Sequence, residues 1–277
     1  MTLSVHTNKS AMVALQNLNR TNAELDEVQV RLNTGLKIAG ARDNAAVFAV
    51  AQNMRSDLGA YEAVQTSLNR ASSIAEVALA AGESISDLLV QMRGKATAAM
   101  DPSIDTFTRS AYNADFRALL DQMQVVLANA GFDGANLLDG SNTPGIEFLS
   151  DADATRTITL KSANLSLSGP NVPLSVTASL GSASLAATIV SQLQQSLDGV
   201  NQALANIGSD FKKVSSHITF VDKLRDTLTT GVGNLVDADL AVESARLQAL
   251  QVKQQLGVQT LSIANSQPSV ILNLFGG

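Results

Sequence analysis

The chain has 277 residues, of which 45% are hydrophobic but only 4% aromatic, with no tryptophan and no cysteine. Its apolar burial must therefore come from Ala, Leu, Val and Ile, a composition typical of long packed helices. The formal charge of -6 and the lack of a Lys/Arg cluster argue against a nucleic-acid partner, and the missing cysteines exclude disulfides, thiolate metal sites and a cysteine nucleophile.

Charge-free segments lie near both ends of the chain. No charged residue occurs from Gln254 to Gly277 or from Ala11 to Asn19. Glutamines, Asn265 and serines interrupt the C-terminal segment too often for it to lie in lipid, so it must be buried against protein. The N-terminus lacks a basic segment followed by a continuous apolar core, so no cleaved signal peptide is predicted. A chain with two such ends is expected to be an assembling subunit.

The first predicted helix starts at Ala11. Its apolar residues alternate steps of three and four, which places one stripe along the helix for packing against a partner. Gly35 marks its end, and either Asp43 or Asn44 is a plausible N-cap for the next helix. The stripe consists of Ala14, Leu18, Thr21, Leu25, Val28 and Leu32.

The second predicted helix follows that cap and ends at Asp101-Pro102, where proline prevents continuation from the preceding turn. At about 1.5 Å per residue it would be roughly 80 Å long, far longer than a typical globular helix. The chain is therefore expected to contain a rod. The apolar stripe runs through Val47, Val50, Met54, Leu58, Tyr61, Val64, Leu68, Ala71, Ala75, Ala78, Ile85, Leu89, Met92 and Ala96.

A third helix is predicted from about Asp105 to Asn129, followed by a turn back through Gly131 to Gly140. From Ser141 to about Gly181 the apolar period changes to two, with glycine and proline between short runs, as in β-hairpins. This stretch is predicted to be the only β-rich part. Its strands are expected to contain Ile146 and Phe148, Thr157 to Leu160, Leu165 to Leu167, and Leu174 to Val176.

The strictest coiled-coil pattern lies between Leu193 and Val221, and the long second helix is its obvious partner. Gly231 and Gly233 then predict a flexible break. A last helix, from about Asp237 to Ala264, carries two apolar stripes, which implies burial on more than one side. One stripe contains Leu240, Leu247, Leu250, Leu261 and Ala264, and the other contains Val242, Ala249, Val252 and Leu256.

These elements predict a mainly α fold. It would be a long antiparallel coiled-coil helical rod with a small β-hairpin region in mid-chain and paired terminal helices. Folding the chain back at the β region sets the two long helices antiparallel and brings both termini together.

No catalytic or metal constellation is predicted. His6 and His217 are the only histidines, and neither has partners at catalytic or metal-ligand spacing, so solvated or packing roles are preferred. The carboxylates from Asp237 to Glu243 fit a helix start better than a calcium loop, because they lack the glycine and ligand spacing of that loop. We therefore expect no enzyme activity, no cofactor and no metal.

Five strings follow one another along the chain. They are RLNTGLKI at Arg31 to Ile38, ARDNAA at Ala41 to Ala46, FDGANLLDG at Phe132 to Gly140, DADLAVE at Asp237 to Glu243, and LSIANSQPSVILNL at Leu261 to Leu274. In their order and spacing these strings resemble bacterial flagellin over nearly the whole chain. Asn44, which stands where the family motif has a second aspartate, is similar to the flagellins of alphaproteobacteria.

The resemblance implies a secreted structural subunit that polymerises into the extracellular filament of the bacterial flagellum for swimming motility. Its partners would be further copies of itself, other flagellins, hook-associated and cap proteins, and an export chaperone. Residues 1–43 and 236–277 would form a terminal helical domain in the filament core, and residues 44–235 a rod domain with a small β-rich outer region at about 141–181. Whether Ser and Thr residues of 141–184 carry O-linked glycans is left open.

Two sets of residues are expected to matter most. The first forms the coiled coil of the rod and contains Leu58, Leu68, Leu89, Leu193, Val200, Ile207, Val214 and Val221. The second forms the assembly core and contains Leu15, Leu18, Leu25, Leu32, Leu247, Leu250, Leu256, Leu261, Ala264 and Leu272.

Two other functions compete with the filament subunit. A hook-filament junction protein would share the terminal helices but occur in few copies, and the gapless match from Asp237 to Leu274 favours the filament subunit over it. A secreted, membrane-acting helical translocator would need a spanning segment or a basic amphipathic face, and the sequence has neither. Membrane insertion is therefore not expected.

Overall fold

The computed structural model describes residues 7–275, with side chains described as far as Ser266. Within that range the chain forms five helices and two separate two-stranded antiparallel sheets, and the predicted mainly α fold is confirmed. The helices are α1 (Lys9–Thr34), α2 (Ala45–Ala99), α3 (Thr106–Asn129), α4 (Ala183–Val236) and α5 (Leu240–Phe275). The strands are β1 (Gly131–Phe132), β2 (Ala135–Asn136), β3 (Gly145–Leu149) and β4 (Thr157–Lys161).

Local hydrogen bonds explain where the first two helices begin and end. The Asn8 side chain accepts a hydrogen bond from a first-turn amide of α1, and Gly35 ends that helix with a φ of 71°. The predicted end is confirmed, because glycine adopts a positive φ without steric cost. Asn44 caps α2 by accepting from the Val47 amide at 3.1 Å. Asp43, the other candidate, instead accepts hydrogen bonds from two amides of the preceding link.

The chain divides into two compact units. The first contains residues up to 56 and from 227 onward, and the second contains residues 57–226. We call them the terminal unit and the central unit. The sequence-based domain boundaries at 43/44 and 235/236 are a functional division and stay a prediction.

In the central unit, α2 and α4 pack side by side in opposite directions. Gln65 of α2 donates a hydrogen bond to Asp222 of α4. Further along, a Cβ at Gly82 would lie 2.6 Å from Leu204 Cδ2, so the missing side chain lets the helices approach closely. Leu58 is half-buried, and the other residues predicted for the coiled coil are buried in this core: Leu68, Leu89, Leu193, Val200, Ile207, Val214 and Val221.

The start of α2 differs from the predicted stripe. Val50 is exposed, and the buried residue is its neighbour Ala51. This part of the helix belongs to the terminal unit, where Ala51 packs with Ile38 and Val236 rather than with the core of the central unit. The first turns of α2 therefore bury a different face from the rest of the helix, because they pack against different residues.

The predicted strands are half right. β3 and β4 pair antiparallel over five residues each, as the alternation predicts. The segments Leu165–Leu167 and Leu174–Val176 are not strands. The side chains of Leu165 and Leu174 are buried, but their irregular backbone is held by bonds from the Leu165 amide to the Leu138 carbonyl and from the Ser168 amide to the Leu174 carbonyl. The alternating apolar residues in these segments therefore fix a loop on the core and do not form strands.

A short hairpin of β1 and β2 precedes the predicted β region. Asp133 and Gly134 form its two-residue turn, with φ values of 49° and 75°. Asp-Gly is a common sequence for such turns because both positions need a positive φ. The prediction that residues 141–181 are the only β-rich part therefore misses this two-residue hairpin, for which the Asp-Gly pair is the sequence signal.

The predicted flexible break within the last quarter of the chain is also wrong. α4 runs without interruption through Gly231 and Gly233. A Cβ at Gly231 would lie 2.7 Å from Met54 Cε, and a Cβ at Gly233 would lie 2.7 Å from Asp237 Oδ2. Each glycine thus leaves room for a neighbouring side chain, and neither glycine ends the helix.

Candidate assembly surface

The two terminal helices pair in opposite directions. Asn8 Nδ2 donates to the Ala264 carbonyl at 2.7 Å, and Gln254 Nε2 donates to Asn22 Oδ1 at 2.8 Å. α5 continues past Ala264, where the sequence predicted its end, to Phe275. The predicted pairing of the terminal helices is confirmed, and neutral amide side chains supply two of the hydrogen bonds between them.

An apolar seam lies between the paired helices. Leu25 and Val28 of α1 pack with Leu250 of α5, and all three are buried. Nearer the chain ends, a Cβ at Gly257 would lie 3.2 Å from Leu18 Cδ1. Glycine therefore lets the helices lie close where leucine fills the seam.

One ion pair crosses the same interface. Arg31 Nη1 lies 3.3 Å from Glu243 Oε1, and the other terminal nitrogen of Arg31 pairs with Glu27. Glu243 is 8% exposed, and its Oε2 has no hydrogen-bond partner among the described residues. Asp239 caps α5 by accepting from two first-turn amides. The acidic run is thus a helix start, as predicted, and one of its members also joins α5 to α1.

The predicted assembly-core residues fall into three groups. Leu15 is 47% exposed and Leu256 is 55% exposed. Leu272 lies outside the described side chains. The remaining residues lie in or beside the seam: Leu25, Leu250 and Ala264 are buried, and Leu18, Leu32, Leu247 and Leu261 are half-buried.

The second predicted stripe of α5 has no partner within the described chain. Val242, Ala249, Val252 and Leu256 are all exposed, whereas most of the first stripe is buried or half-buried against α1. The two apolar stripes predicted for α5 therefore differ in their cover. The first packs mostly against α1, and the second is exposed in the described chain.

Exposed hydrophobic residues concentrate on the terminal helices. Of the nineteen large hydrophobic side chains exposed among the described residues, ten lie on α1 and α5. Five of them lie outside every stripe and residue set drawn from the sequence, although all are apolar positions off the α1–α5 seam. The ten are Met12, Val13, Leu15, Val30, Leu240, Val242, Val252, Leu256, Val258 and Ile263. We use the name open apolar face for these ten exposed residues taken together, four on α1 and six on α5.

The histidines and acidic residues form no separate site. His217 packs on Phe220 with ring centroids 5.7 Å apart, and its Nε2 lies 2.7 Å from the Ser150 carbonyl oxygen. His6 lies outside the described residues. Across residues 7–266 no cluster of His, Asp or Glu has the arrangement to hold a metal. Over the described helices, none is both long enough and apolar enough to span a membrane.

Together these features define a class of protein. The paired terminal helices carry ten of the nineteen exposed large hydrophobic side chains among the described residues, and such a concentration marks an interaction site. This arrangement is that of a self-assembling structural subunit.

Comparison with known proteins identifies the family. Residues 5–143 match the bacterial flagellin N-terminal helical region, and residues 190–275 match the bacterial flagellin C-terminal helical region. The chain belongs to the bacterial flagellin family.

Two relatives, from Caulobacter vibrioides and Brucella melitensis, agree with this assignment. Flagellin FljJ of Caulobacter vibrioides is 51% identical over 280 residues, covering 100% of both chains. The flagellin of Brucella melitensis is 34% identical over 282 residues, covering 99% of each. The crystal structure of Bacillus cereus flagellin matches with a TM-score of 0.49 and 25% identity, over 56% of this chain and 88% of that one. The similarity to alphaproteobacterial flagellins is confirmed.

As a flagellin, the chain is a structural subunit of the extracellular flagellar filament used for swimming. Copies of the chain polymerise with one another into a helical filament. No finding favours the alternative of a hook-filament junction protein.

Proposed function

We propose that the open apolar face of α1 and α5 is the surface through which copies of the chain contact one another in the filament core. The observation that carries this proposal is the concentration of ten exposed large hydrophobic residues on these two helices. At about 25 cal/mol per Å² of apolar surface, their burial is the largest source of favourable free energy that this surface offers.

The uncharged segments support the same arrangement. In a helical assembly each subunit repeats one heterologous contact, so a charge in the contact would be buried many times over. The segments from Gln254 to Gly277 and from Ala11 to Asn19 carry none. Glutamine and asparagine side chains can hydrogen-bond to one another there without the desolvation cost of an ion.

The domain roles follow from this placement. We propose that residues 1–43 and 236–277 form the inner core of the filament and that residues 44–235 form the surrounding rod, with the β-rich region at about 141–181 facing outward. We further propose that the chain has no enzymatic activity and that hook-associated and cap proteins, other flagellins and an export chaperone are its additional partners. The rod assignment is supported by the burial of α2 against α4 in the central unit.

Seeded elongation of the protein as a free monomer tests the proposal. Val252→Glu places a charge on the open apolar face, at a side chain that is 55% exposed in the monomer. We expect it to fold as the parent chain does, by circular dichroism, but to fail to elongate sheared filament seeds, because burying an unpaired carboxylate costs several kcal/mol. Val176→Glu is the matched control, since Val176 is 49% exposed in the outward region.

Two outcomes would overturn this account. A folded Val252→Glu protein that elongates seeds as fast as the Val176→Glu control would show that the open apolar face is not in the contact. Failure of the unsubstituted chain to elongate seeds would instead favour the junction role.

A further inference from the structure

The face of α5 that packs on α1 is not wholly apolar. From Glu243 to Ala264, every buried or half-buried residue of α5 except Ser244 falls on one seven-residue repeat, with alternating steps of three and four. We call these residues the covered face. They are Glu243, Leu247, Leu250, Gln254, Gly257, Leu261 and Ala264. Three of the seven are thus a glutamate, a glutamine and a glycine.

The second stripe of α5 contains no polar residue and yet stays exposed. Its members are Val242, Ala249, Val252 and Leu256. Val242 and Leu256 each stand directly before a residue of the covered face. At about 100° per residue, the second stripe therefore lies about 100° or more around the helix from the covered face. Hydrophobicity alone does not explain why α1 packs on the covered face rather than on the second stripe.

The glutamate of the covered face meets an arginine of α1. Arg31 Nη1 lies 3.3 Å from Glu243 Oε1, and Glu243 is 8% exposed. The helix dipole favours an acid in the first turn of α5 whether or not it is buried, but burial needs a counter-charge because an unpaired carboxylate is costly to remove from water. Glu27 shares the arginine, but it lies on α1 itself and therefore favours neither face of α5.

An amide pair makes a second polar contact in the same seam. Gln254 Nε2 donates to Asn22 Oδ1 at 2.8 Å, and both residues are half-buried. A polar residue in the core of a coiled coil fixes how its helices pair, because another pairing leaves it in an apolar contact without a partner. Asn8 also donates to the Ala264 carbonyl, but every residue of a helix has a carbonyl, so this contact does not distinguish the faces.

The two polar contacts match in spacing as well as in chemistry. Arg31 and Asn22 are nine residues apart on α1, and Glu243 and Gln254 are eleven residues apart on α5. At about 1.5 Å per residue these separations are roughly 14 Å and 17 Å. Because the helices run in opposite directions, the arginine meets the glutamate where the asparagine meets the glutamine. Turning α5 to bring its second stripe onto α1 would break both contacts at once.

We propose that Glu243 and Gln254, through Arg31 and Asn22, determine which face of α5 packs on α1 and so keep the second stripe free for other copies. Without these four side chains, α1 would have two competing surfaces on the same helix. The polar contacts favour one of them and penalise the other, because a rotated α5 would leave Arg31 and Asn22 without partners. The proposal rests on the proposed function of the open apolar face as the contact between copies.

Disulfide formation in dilute monomer measures which face is covered, since the natural chain has no cysteine. A Cβ at Gly257 would lie 3.9 Å from Leu18 Cβ, a separation typical of disulfides. Leu18→Cys/Gly257→Cys is therefore the covered-face reporter. Leu18→Cys/Leu256→Cys is the rotated reporter, because Leu256 is 55% exposed and about 100° around the helix from Gly257. In the parent chain we expect only the covered-face reporter to close, which increases mobility on a non-reducing gel.

Asn22→Leu/Arg31→Leu tests the selection of the face. It removes both polar partners on α1, so Glu243 and Gln254 would be buried unpaired if the covered face stayed in place. We expect the closure rate of the covered-face reporter, relative to that of the rotated reporter, to fall at least about tenfold from the parent value. Hydrogen exchange should still show protected α1 amides, because a rotated pair remains folded. Loss of this protection would mean that the contacts hold the helices together without selecting a face, and it would overturn the proposal.

Arg20→Leu/Asn33→Leu is the matched control, because it makes the same two substitutions at exposed positions of α1 outside the seam. Its ratio of closure rates should stay within about twofold of the parent value. An unchanged ratio for Asn22→Leu/Arg31→Leu would overturn the proposal and leave the filament contact intact. So would elongation of seeds by this variant at the parent rate. The filament contact fails separately, if the Val252→Glu protein elongates seeds.

A second variant tests the ion pair without changing the composition or the charge of the chain. Val242→Glu/Glu243→Val moves the acid by one position, from the covered face to the second stripe. Arg31 should then favour the stripe that carries the acid, and the ratio of closure rates should fall at least about tenfold in monomer. A ratio that stays at the parent value would contradict the assignment of face selection to this ion pair.

Discussion

The terminal and central units are built from similar helices but differ in what covers their apolar residues. In the central unit Leu68, Leu89 and Leu193 are fully buried by elements of the same chain. In the terminal unit Val252, Leu256 and Ile263 are each more than half exposed although they lie on an equally apolar helix. The central unit therefore buries a large core of its own, whereas the terminal unit leaves much of its apolar surface open.

This difference shows how one chain can be both a stable monomer and an assembling subunit. The α1–α5 seam is narrow and contains Leu25, Val28 and Leu250, which hold the pair together. We propose that polymerisation then buries the remaining apolar faces of α1 and α5. Changes to the seam, to the open apolar face and to the central core should therefore give separable effects on folding and on assembly.

The largest expected effect is loss of assembly on removal of the C-terminal part of α5. Deleting residues 254–277 removes the uncharged tail and part of the open apolar face. We expect polymerisation to be abolished, while the central unit keeps its cooperative thermal transition because its core lies within residues 57–226. Calorimetry and electron microscopy measure the two properties. Filaments from the truncated chain would contradict the division of roles.

The next effect compares two leucines. Leu89 is fully buried, so Leu89→Ala should lower the free energy of unfolding of the central unit by about 2–5 kcal/mol. Leu256 is 55% exposed, so Leu256→Ala should change monomer stability by about 0.5 kcal/mol or less and yet raise the critical concentration for assembly. Urea unfolding of monomers measures the free energy of unfolding of both variants. Equal destabilisation by the two substitutions would remove the contrast between the units.

A smaller effect is expected at the ion pair between the terminal helices. Glu243→Gln removes the buried charge that faces Arg31 and should destabilise the α1–α5 pair by about 1–3 kcal/mol. Glu27 contacts the same arginine but has a side chain that is 54% exposed, so Glu27→Gln should cost about 0.5 kcal/mol or less. Hydrogen exchange of α1 amides in the monomer measures the destabilisation caused by each of the two substitutions. A greater loss of protection for the Glu27 variant would reverse this assignment.

The smallest effect concerns the pH dependence of α3. The pKa of Asp105 is lowered from 3.8 by hydrogen bonds from Thr108, so its stabilisation is present above 3.8 and is lost as the pH falls through the lower folded-state pKa. Asparagine also caps helices, and Asp105→Asn should therefore match the parent at neutral pH and lose less stability in acid. Melting curves at neutral pH and well below 3.8 test this. Parallel losses for both proteins would contradict it.

Much of the fold could be predicted because its signals are local. Gly35 ends α1 through its own φ, and Asn44 caps α2 through its own side chain. The two stripes of α5 could be predicted because the spacing of apolar residues along a helix indicates each face that is suited to burial. The spacing is the same whether the chain itself or another copy covers that face.

The errors arise where a distant contact decides the outcome. Gly231 suggests a break, but it lies within a continuous helix, where its missing side chain leaves room for the Met54 methyl group. Leu165 and Leu174 alternate with neighbours as in strands, but their amides and carbonyls bond to loop partners instead of forming a ladder.

The accessibility of one residue in monomers and filaments tests the central claim most directly. Val252→Cys places a single thiol on the open apolar face, and Val176→Cys is the control in the outward region, in a chain with no other cysteine. Both thiols should react with a maleimide in the monomer. In filaments we predict that the thiol of Val252→Cys is protected while that of Val176→Cys still reacts. Equal labelling of the Val252→Cys protein in monomers and filaments would contradict the claim that assembly buries this face.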